Sequence, residues 1–182
     1  NPEILISIDT FNSDVAHEAL LNGANWINDV TGGRRDKEIL NVVSEFNCPF
    51  VITHSRGNSK NMNELSNYDD LLSEVKSSLE SLIKNALEKN ISKENLIIDP
   101  GIGFSKDTDQ NLEILKNLDI FKKLNLPILI GASRKRFIGE ILNEKNPKDR
   151  DVGTLAISCL CSNLNIDIVR VHNVRLNYQI LK

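Results

Sequence analysis

Short apolar runs of three to six residues alternate along this chain with longer segments whose apolar positions recur every three or four residues. The short runs fall at residues 4–8, 26–30, 49–53, 96–98, 127–130 and 166–171, the last broken by Asp167. Runs of that length, apolar on consecutive positions and rich in β-branched residues, predict strands buried on both faces. The segments between them predict helices. Over 13–21, Val15, Ala16, Ala19 and Leu20 share a face, Asn12 or Ser13 is the N-cap, and Asn22-Gly23 ends the helix. Ile39, Leu40, Val43 and Phe46 mark a helix over 37–46. The longest helix covers 69–90, with Leu71, Leu72, Val75, Leu79, Leu82, Ile83 and Leu87 as its buried stripe. Further helices are predicted over 109–118, 136–142 and 152–164, and the final residues to Lys182 begin another. Residues 58–68 and 143–150 read as polar loops.

Six strands, each followed by a helix, imply crossovers of the βαβ type and a parallel sheet. Either a doubly wound open sheet or part of a (β/α)8 barrel would satisfy that pattern. The strand ends discriminate. Each carries polar chemistry: Asp9, Asn28-Asp29, His54 and Arg56, Asp99, Ser133 to Lys135, and Arg170 with His172. An open sheet gathers its ligand groups at one switch point, whereas a barrel draws them from many strands around one mouth. The expected fold is therefore α/β, a TIM barrel with six of its eight βα units in this chain. Six units alone would leave apolar edges exposed. The missing pair is expected to precede residue 1, where the chain opens Asn1-Pro2-Glu3 without an initiator Met. Residues 1–182 then form a single barrel domain lacking its first two strands.

The stretch Asn95-Leu-Ile-Ile-Asp99-Pro100-Gly101-Ile102-Gly103-Phe104-Ser105 concentrates the signal. A buried strand stops at a carboxylate, and Pro100 with two glycines makes a stiff turn after it. Asp99 is a turn residue or a ligand, and the other strand ends favour the ligand. Asp9, Asn28 and Asp99 can read the donor and acceptor edge of a flat heterocycle. Lys135 begins a helix between Arg134 and Arg136; three cations there oppose the helix dipole and suggest an electron-rich or anionic ligand. Arg170 and His172 are two apart in extended chain and can face the same way, toward a phosphate-like anion. Each has a plainer reading: a cap for Asp9, a turn for Asn28, a surface ion pair for Arg56, a solvated side chain for Lys135. His54 reads as structural or supporting rather than catalytic, and His17 is assigned nothing.

Bulk properties narrow the class without changing the picture. The chain has 182 residues, 40% of them hydrophobic and 26% charged, with a net charge of -3 at pH 7. That is ordinary for a soluble domain and offers no basic stripe for nucleic acid. No apolar run approaches the ~20 residues of a membrane span. Cys48, Cys159 and Cys161 are odd in number and scattered, so buried thiols in a reducing compartment are expected, cytoplasmic, or mitochondrial if the chain is eukaryotic. No His, Cys or carboxylate cluster has metal-ligand spacing.

Six motifs in order give the chain a resemblance to a known family: Ser7-Ile8-Asp9-Thr10, Ile27-Asn28-Asp29-Val30, His54-Ser55-Arg56-Gly57, Asp99-Pro100-Gly101-Ile102-Gly103-Phe104, Gly131-Ala132-Ser133-Arg134-Lys135-Arg136-Phe137-Ile138-Gly139 and Arg170-Val171-His172-Asn173-Val174. Together they resemble dihydropteroate synthase, the pterin-binding, sulfonamide-target transferase of folate biosynthesis. The resemblance implies a TIM barrel that joins 6-hydroxymethyl-7,8-dihydropterin pyrophosphate to p-aminobenzoate through a pterin methyl cation. It implies that Asp9, Asn28, Asp99 and Lys135 hold the pterin, that Arg170 and His172 bind the pyrophosphate, and that Phe104, Lys135 and Arg136 border the p-aminobenzoate site. Asp9, Lys135, Arg170 and His172 would then be the catalytic set. It further implies Mg2+ carried with the pyrophosphate, a homodimer paired through the late helices, and fusion to other folate-pathway enzymes in eukaryotic forms.

The chain departs from the family pattern at two points. The family's Asn-rich first signature, which supplies its magnesium ligand, is absent here, and Thr53 stands where many members have Met beside the pterin. A pterin-binding methyltransferase would share the Asp and Asn grip without needing the anion-binding pair. A phosphosugar aldolase barrel would use Lys135 as a Schiff-base nucleophile.

Overall fold

A computed structural model describes residues 4–57 and 62–182. Six strands alternate with helices: β1 (Ser7–Asp9), α1 (Ser13–Leu21), β2 (Trp26–Asp29), α2 (Glu38–Phe46), β3 (Phe50–Thr53), α3 (Leu71–Glu88), β4 (Leu96–Asp99), α4 (Thr108–Lys116), α5 (Asp119–Lys122), β5 (Leu129–Ile130), α6 (Arg136–Leu142), α7 (Asp151–Asn163), β6 (Ile168–Val169) and α8 (Val174–Leu181). Part of the predicted loop over 58–68 lies outside the described residues; the rest holds a 3₁₀ turn, Met62–Leu65.

Strands β1 to β4 pair in parallel, each with the next. A bridge between Ile98 and Ile128, with Ile98 N donating to Pro127 O at 2.9 Å, passes the sheet to β5, which pairs in parallel with β6. The order therefore runs from first to last without reversal. A doubly wound sheet would reverse at its switch point; an unreversed order is a barrel wall.

The two faces of this wall hold separate cores. Ile27, Phe50, Ile52, Leu96, Ile98, Ile128 and Ile130 point outward and pack under the helices. Val51, Ile97 and Leu129 point the other way, with Trp26 and Ile168 packed against them, and fill the barrel interior. Because side chains alternate along a strand, the residues on the interior face at the strand ends are Asp9, Asn28, Thr53, Asp99 and Arg170. An apolar plug thus sits beneath a polar mouth.

The strands are shorter than the hydrophobic runs for local reasons. Ile4, Leu5 and Ile6 are exposed and β1 starts only at Ser7. Pro127 has no N–H to give a ladder, so β5 keeps two residues. Asp167 Oδ2 accepts from Ile128 N at 2.8 Å, which uses a side chain where a strand would use backbone. Among the helices, the segment predicted over 109–118 ends at Lys116 and restarts as α5, with Asn117 Nδ2 turned back to Glu113 O. In α3, Ala86 takes a buried place and Leu87 is left exposed, because an 18-residue helix drifts off a strict seven-residue stripe. Caps set the starts: Asn12 accepts from Val15 N, Asp70 from Ser73 N, and Asp107 forms a capping box with Gln110.

Candidate active site

Asp9 is the hub of the mouth. Its Oδ1 accepts from Asn28 Nδ2 at 2.6 Å and its Oδ2 from Arg170 Nη1 at 2.9 Å. Asn28 is buried, and its Oδ1 accepts no hydrogen bond from any described residue. Arg170 reaches Asp9 by lying over Gly131, where a Cβ would meet Arg170 Nη2 at 3.2 Å. Gly131 is thus a passage for the guanidinium.

Asp99 lies at the end of β4, buried, with Oδ1 accepting from Gly101 N at 2.7 Å. Burial pushes its carboxyl above the usual range, opposed by Lys135, the Gly101 N–H, Arg170 and Lys106. The three cations favour its ionised form, while burial, the larger effect, disfavours it. Lys135 is the closest of them electrically. Burial brings its ammonium down to about 8, with Arg170 pushing the same way and Asp99 and Asp9 pushing back. Its Nζ donates to Ile102 O and sits 4.2 Å from the centre of the Phe104 ring. Gly103, at φ +79°, leaves room for that side chain, since a Cβ there would meet Lys135 Cδ at 2.4 Å.

The loop after β5 is fixed by ion pairs. Arg134, left-handed at φ +58°, is held bidentately by Asp151 at 2.7 and 2.9 Å, and Asn173 Nδ2 donates to Asp151 Oδ2 at 3.0 Å. Arg134 and Asn173 hold Asp151 down to about 2. This bracket ties the loop to the start of α7 and to the loop after β6. Ser133 Oγ lies 2.9 Å from His172 Nδ1, so His172, exposed, stands beside the same loop. Arg136 pairs with Glu140 at 3.2 Å, mostly exposed. Arg134 and Arg136 are therefore paired with carboxylates of the chain, while Lys135, among the described residues, meets only a backbone carbonyl and the Phe104 ring, so of the three it is Lys135 that remains to meet an electron-rich or anionic ligand. The structure brings Asp9, Asn28, Asp99, Phe104, Lys135 and Arg170 to one mouth; His172 lies at its edge, and Arg136 points along its own helix.

Several further groups organise the loops around the mouth, among them Asp29, His54 and Arg56, which the sequence already placed at strand ends. Asp29 is buried, and its carboxylate takes Thr31 N, Thr31 Oγ1 and Gly33 N at 2.6 to 2.8 Å, organising the turn after β2. Arg34 donates to Ser55 O and Oγ, joining that turn to the loop after β3. Arg56 stacks on Tyr68 at 3.7 Å and pairs with Glu74 at 2.5 Å, a structural role. Lys106 is buried against His54. The visible signal for Lys106 was only a lysine three places beyond Gly103. Among the described residues, no three His, Cys, Asp or Glu side chains converge as a metal site.

Comparison with known proteins places this arrangement. The sequence profile described as "Pterin binding enzyme" matches residues 1–172. Dihydropteroate synthase from a Synechocystis species is 41% identical over 180 residues, covering 99% of this chain and 62% of that protein. The folate synthesis bifunctional protein, mitochondrial, of Pisum sativum is 40% identical over 195 residues, covering 100% of this chain and 38% of that protein. The crystal structure of dihydropteroate synthase from Thermus thermophilus in complex with 6HMPPP superposes with a TM-score of 0.92 at 34% identity, over 98% of this chain and 70% of that one. The chain spans between 25% and 66% of the length of the curated relatives it matches. With the profile spanning nearly all of its length and with that polar mouth, the chain belongs to the pterin binding enzyme family.

Proposed function

We propose that this chain is the greater part of a dihydropteroate synthase barrel, which condenses 6-hydroxymethyl-7,8-dihydropterin pyrophosphate with p-aminobenzoate and releases pyrophosphate. The observation that carries the reading is the convergence of Asp9, Asn28, Asp99, Lys135 and Arg170 above the apolar plug. Asp99 and the unpartnered Asn28 Oδ1 offer acceptors to the amino and N–H edge of a pterin. Lys135 offers a donor and closes the mouth against Phe104. As the carbon–oxygen bond to pyrophosphate breaks, the carboxylate of Asp9 stabilises the positive charge left on the pterin methyl carbon. Arg170 and His172 stabilise the departing anion. The aniline nitrogen is neutral at pH 7 and attacks without a strong base, losing its proton afterwards.

The relatives' names support synthase chemistry over a methyltransferase or an aldolase, and the Thermus thermophilus complex holds 6HMPPP. Magnesium would arrive with the pyrophosphate; among the described residues no three His, Cys, Asp or Glu side chains converge to hold it. The chain covers 62% of the Synechocystis relative and 70% of the Thermus thermophilus one, so on this reading the 182 residues alone are expected to show no turnover. The exposed apolar side chains of α7 and α8, among them Val152, Val174 and Tyr178, support pairing of two barrels through the late helices. The pea relative's name supports fusion to a second folate enzyme in eukaryotic forms and mitochondrial residence there. No helix among the described residues is long and apolar enough to cross a membrane. Isothermal titration of the whole protein decides the reading: a pterin pyrophosphate analogue is expected to bind, and to promote p-aminobenzoate binding. No pterin binding would overturn it.

A further inference from the structure

Lys106 carries a charge where the fold has little room for one. It is 4% exposed, and nothing in the chemistry above uses it. Its Nζ donates to His54 Nδ1 at 3.0 Å, to Gly101 O at 3.0 Å and to Phe104 O at 3.1 Å. An ammonium has three N–H donors, so the set is complete. The first acceptor belongs to the loop after β3; the other two belong to the loop after β4, which carries Asp99 at one end and Phe104 at the other. The same two loops are joined around it. Ser105 Oγ accepts from Arg56 N at 2.8 Å and donates to Arg56 O at 2.7 Å, and Tyr68 Oη donates to Ser105 O at 3.0 Å. Gly101 passes so close that a Cβ would lie 1.8 Å from His54 O.

We propose that Lys106 is a positioning residue for pterin recognition, its ammonium tying the loop after β4 to His54 and so fixing where Asp99 and Phe104 meet the substrates. This rests on the reading that Asp99 and Phe104 face those substrates. Asp99 is the anion that acts on Lys106, opposed by the cations Lys135 and Arg56. His54 adds no charge: burial first, then Lys106, Arg34 and Arg56, bring its imidazole down to about 2. The neutral ring accepts at Nδ1, which leaves its proton on Nε2. Lys106 in turn favours the ionised form of Asp99, which is the form a pterin N–H edge requires. Burial lowers the Lys106 ammonium to about 7, so the tie is present in acid and weakens on the alkaline side of neutrality.

Lys106→Met keeps the aliphatic stem and removes the donors. In the whole protein, KM for the pterin pyrophosphate is expected to rise about tenfold, the effect of losing a charged hydrogen bond, while kcat at saturation changes less than about twofold. His54→Leu is expected to raise KM in the same way, and His54→Asn, whose Oδ1 takes the place of Nδ1, to restore it. A Lys106→Met protein that melts earlier but keeps the wild-type KM would overturn the proposal, because a merely structural lysine gives that result. If Lys106→Met does not fold, the His54 variants decide, and equal KM values for Leu and Asn overturn it. Calorimetry on the unmodified protein separates the two levels: no pterin binding there defeats the reading of the site, and this proposal with it.

Discussion

Arg170 Nη1 donates to Asp9 Oδ2 at 2.9 Å, joining residues 161 positions apart. The last strand of the described arc thereby reaches the first across the mouth. Both side chains are about half exposed, so the pair contributes less than about 1 kcal/mol to folding. Its value is in placing a carboxylate beside a guanidinium where charges separate during reaction. Asp9→Asn is expected to leave Tm within about 3 °C and to lower kcat about 100-fold or more. Melting curves and steady-state turnover check the two halves together. An unchanged kcat would remove Asp9 from the charge-stabilising role.

Gly101 and Gly23 both have positive φ, at +74° and +95°, yet they should respond differently to alanine. At Gly101 the added Cβ would lie 1.8 Å from His54 O, a backbone atom that cannot swing aside; at Gly23 nothing lies within 4 Å. Gly23→Ala therefore costs only conformational strain, about 1 kcal/mol. Gly101→Ala is expected to cost more than about 3 kcal/mol or to leave the protein insoluble. Denaturant midpoints of the two variants measure the gap, and equal midpoints would show that the two loops are not packed as described.

That contrast also marks what the sequence made legible. Asp99, Pro100 and two glycines announced a strand end and a turn, and the alternation of apolar runs with amphipathic segments announced the parallel βα repeat. The glycines' partners were not legible, because they come from loops distant in sequence: Gly101 faces His54, Gly103 faces Lys135, and Gly131 faces Arg170. In the basic cluster 134–136 the partner of Arg134 was hidden for the same reason. Asp151, 17 positions from Arg134, has no spacing that links it to the cluster, whereas Glu140 stands four places after Arg136 on one helix, a spacing that the sequence does show. Lys106 was hidden by type, since a lysine after a turn reads as solvated until the fold buries it. Strand boundaries failed at Pro127 and Asp167, where a missing N–H and a side-chain acceptor override apolar propensity.

Thr53 sits beside Asp99 in register, buried, with its Oγ1 lacking a partner among the described residues. An orphaned buried hydroxyl is costly, and an apolar group of the same shape is not. Thr53→Val is expected to raise Tm by about 1–3 °C, equivalent to up to about 1 kcal/mol. Because Val keeps the shape of Thr beside Asp99 and removes only the unpaired hydroxyl, pterin affinity should hold. Differential scanning calorimetry with and without a pterin analogue tests both statements. A fall in affinity of tenfold would instead make the hydroxyl a ligand contact.

Asp151 gives the fold an acid-sensitive joint. Its carboxylate binds Arg134 in two places and Asn173 in a third, and those contacts hold it down to about 2. An unfolded aspartate titrates near about 3.9. The folded state therefore binds this proton less readily than the unfolded chain does, and the joint contributes in full only above the unfolded value. As pH falls from about 4 toward about 2 the contribution disappears. Asp151→Asn removes the charge but not the shape. The difference in urea midpoint between the wild type and this variant is expected to be constant from pH 7 to about 5 and to shrink steadily below about 4. A difference that stays constant down to about pH 3 would show that the joint is held by packing rather than by the ionised carboxylate.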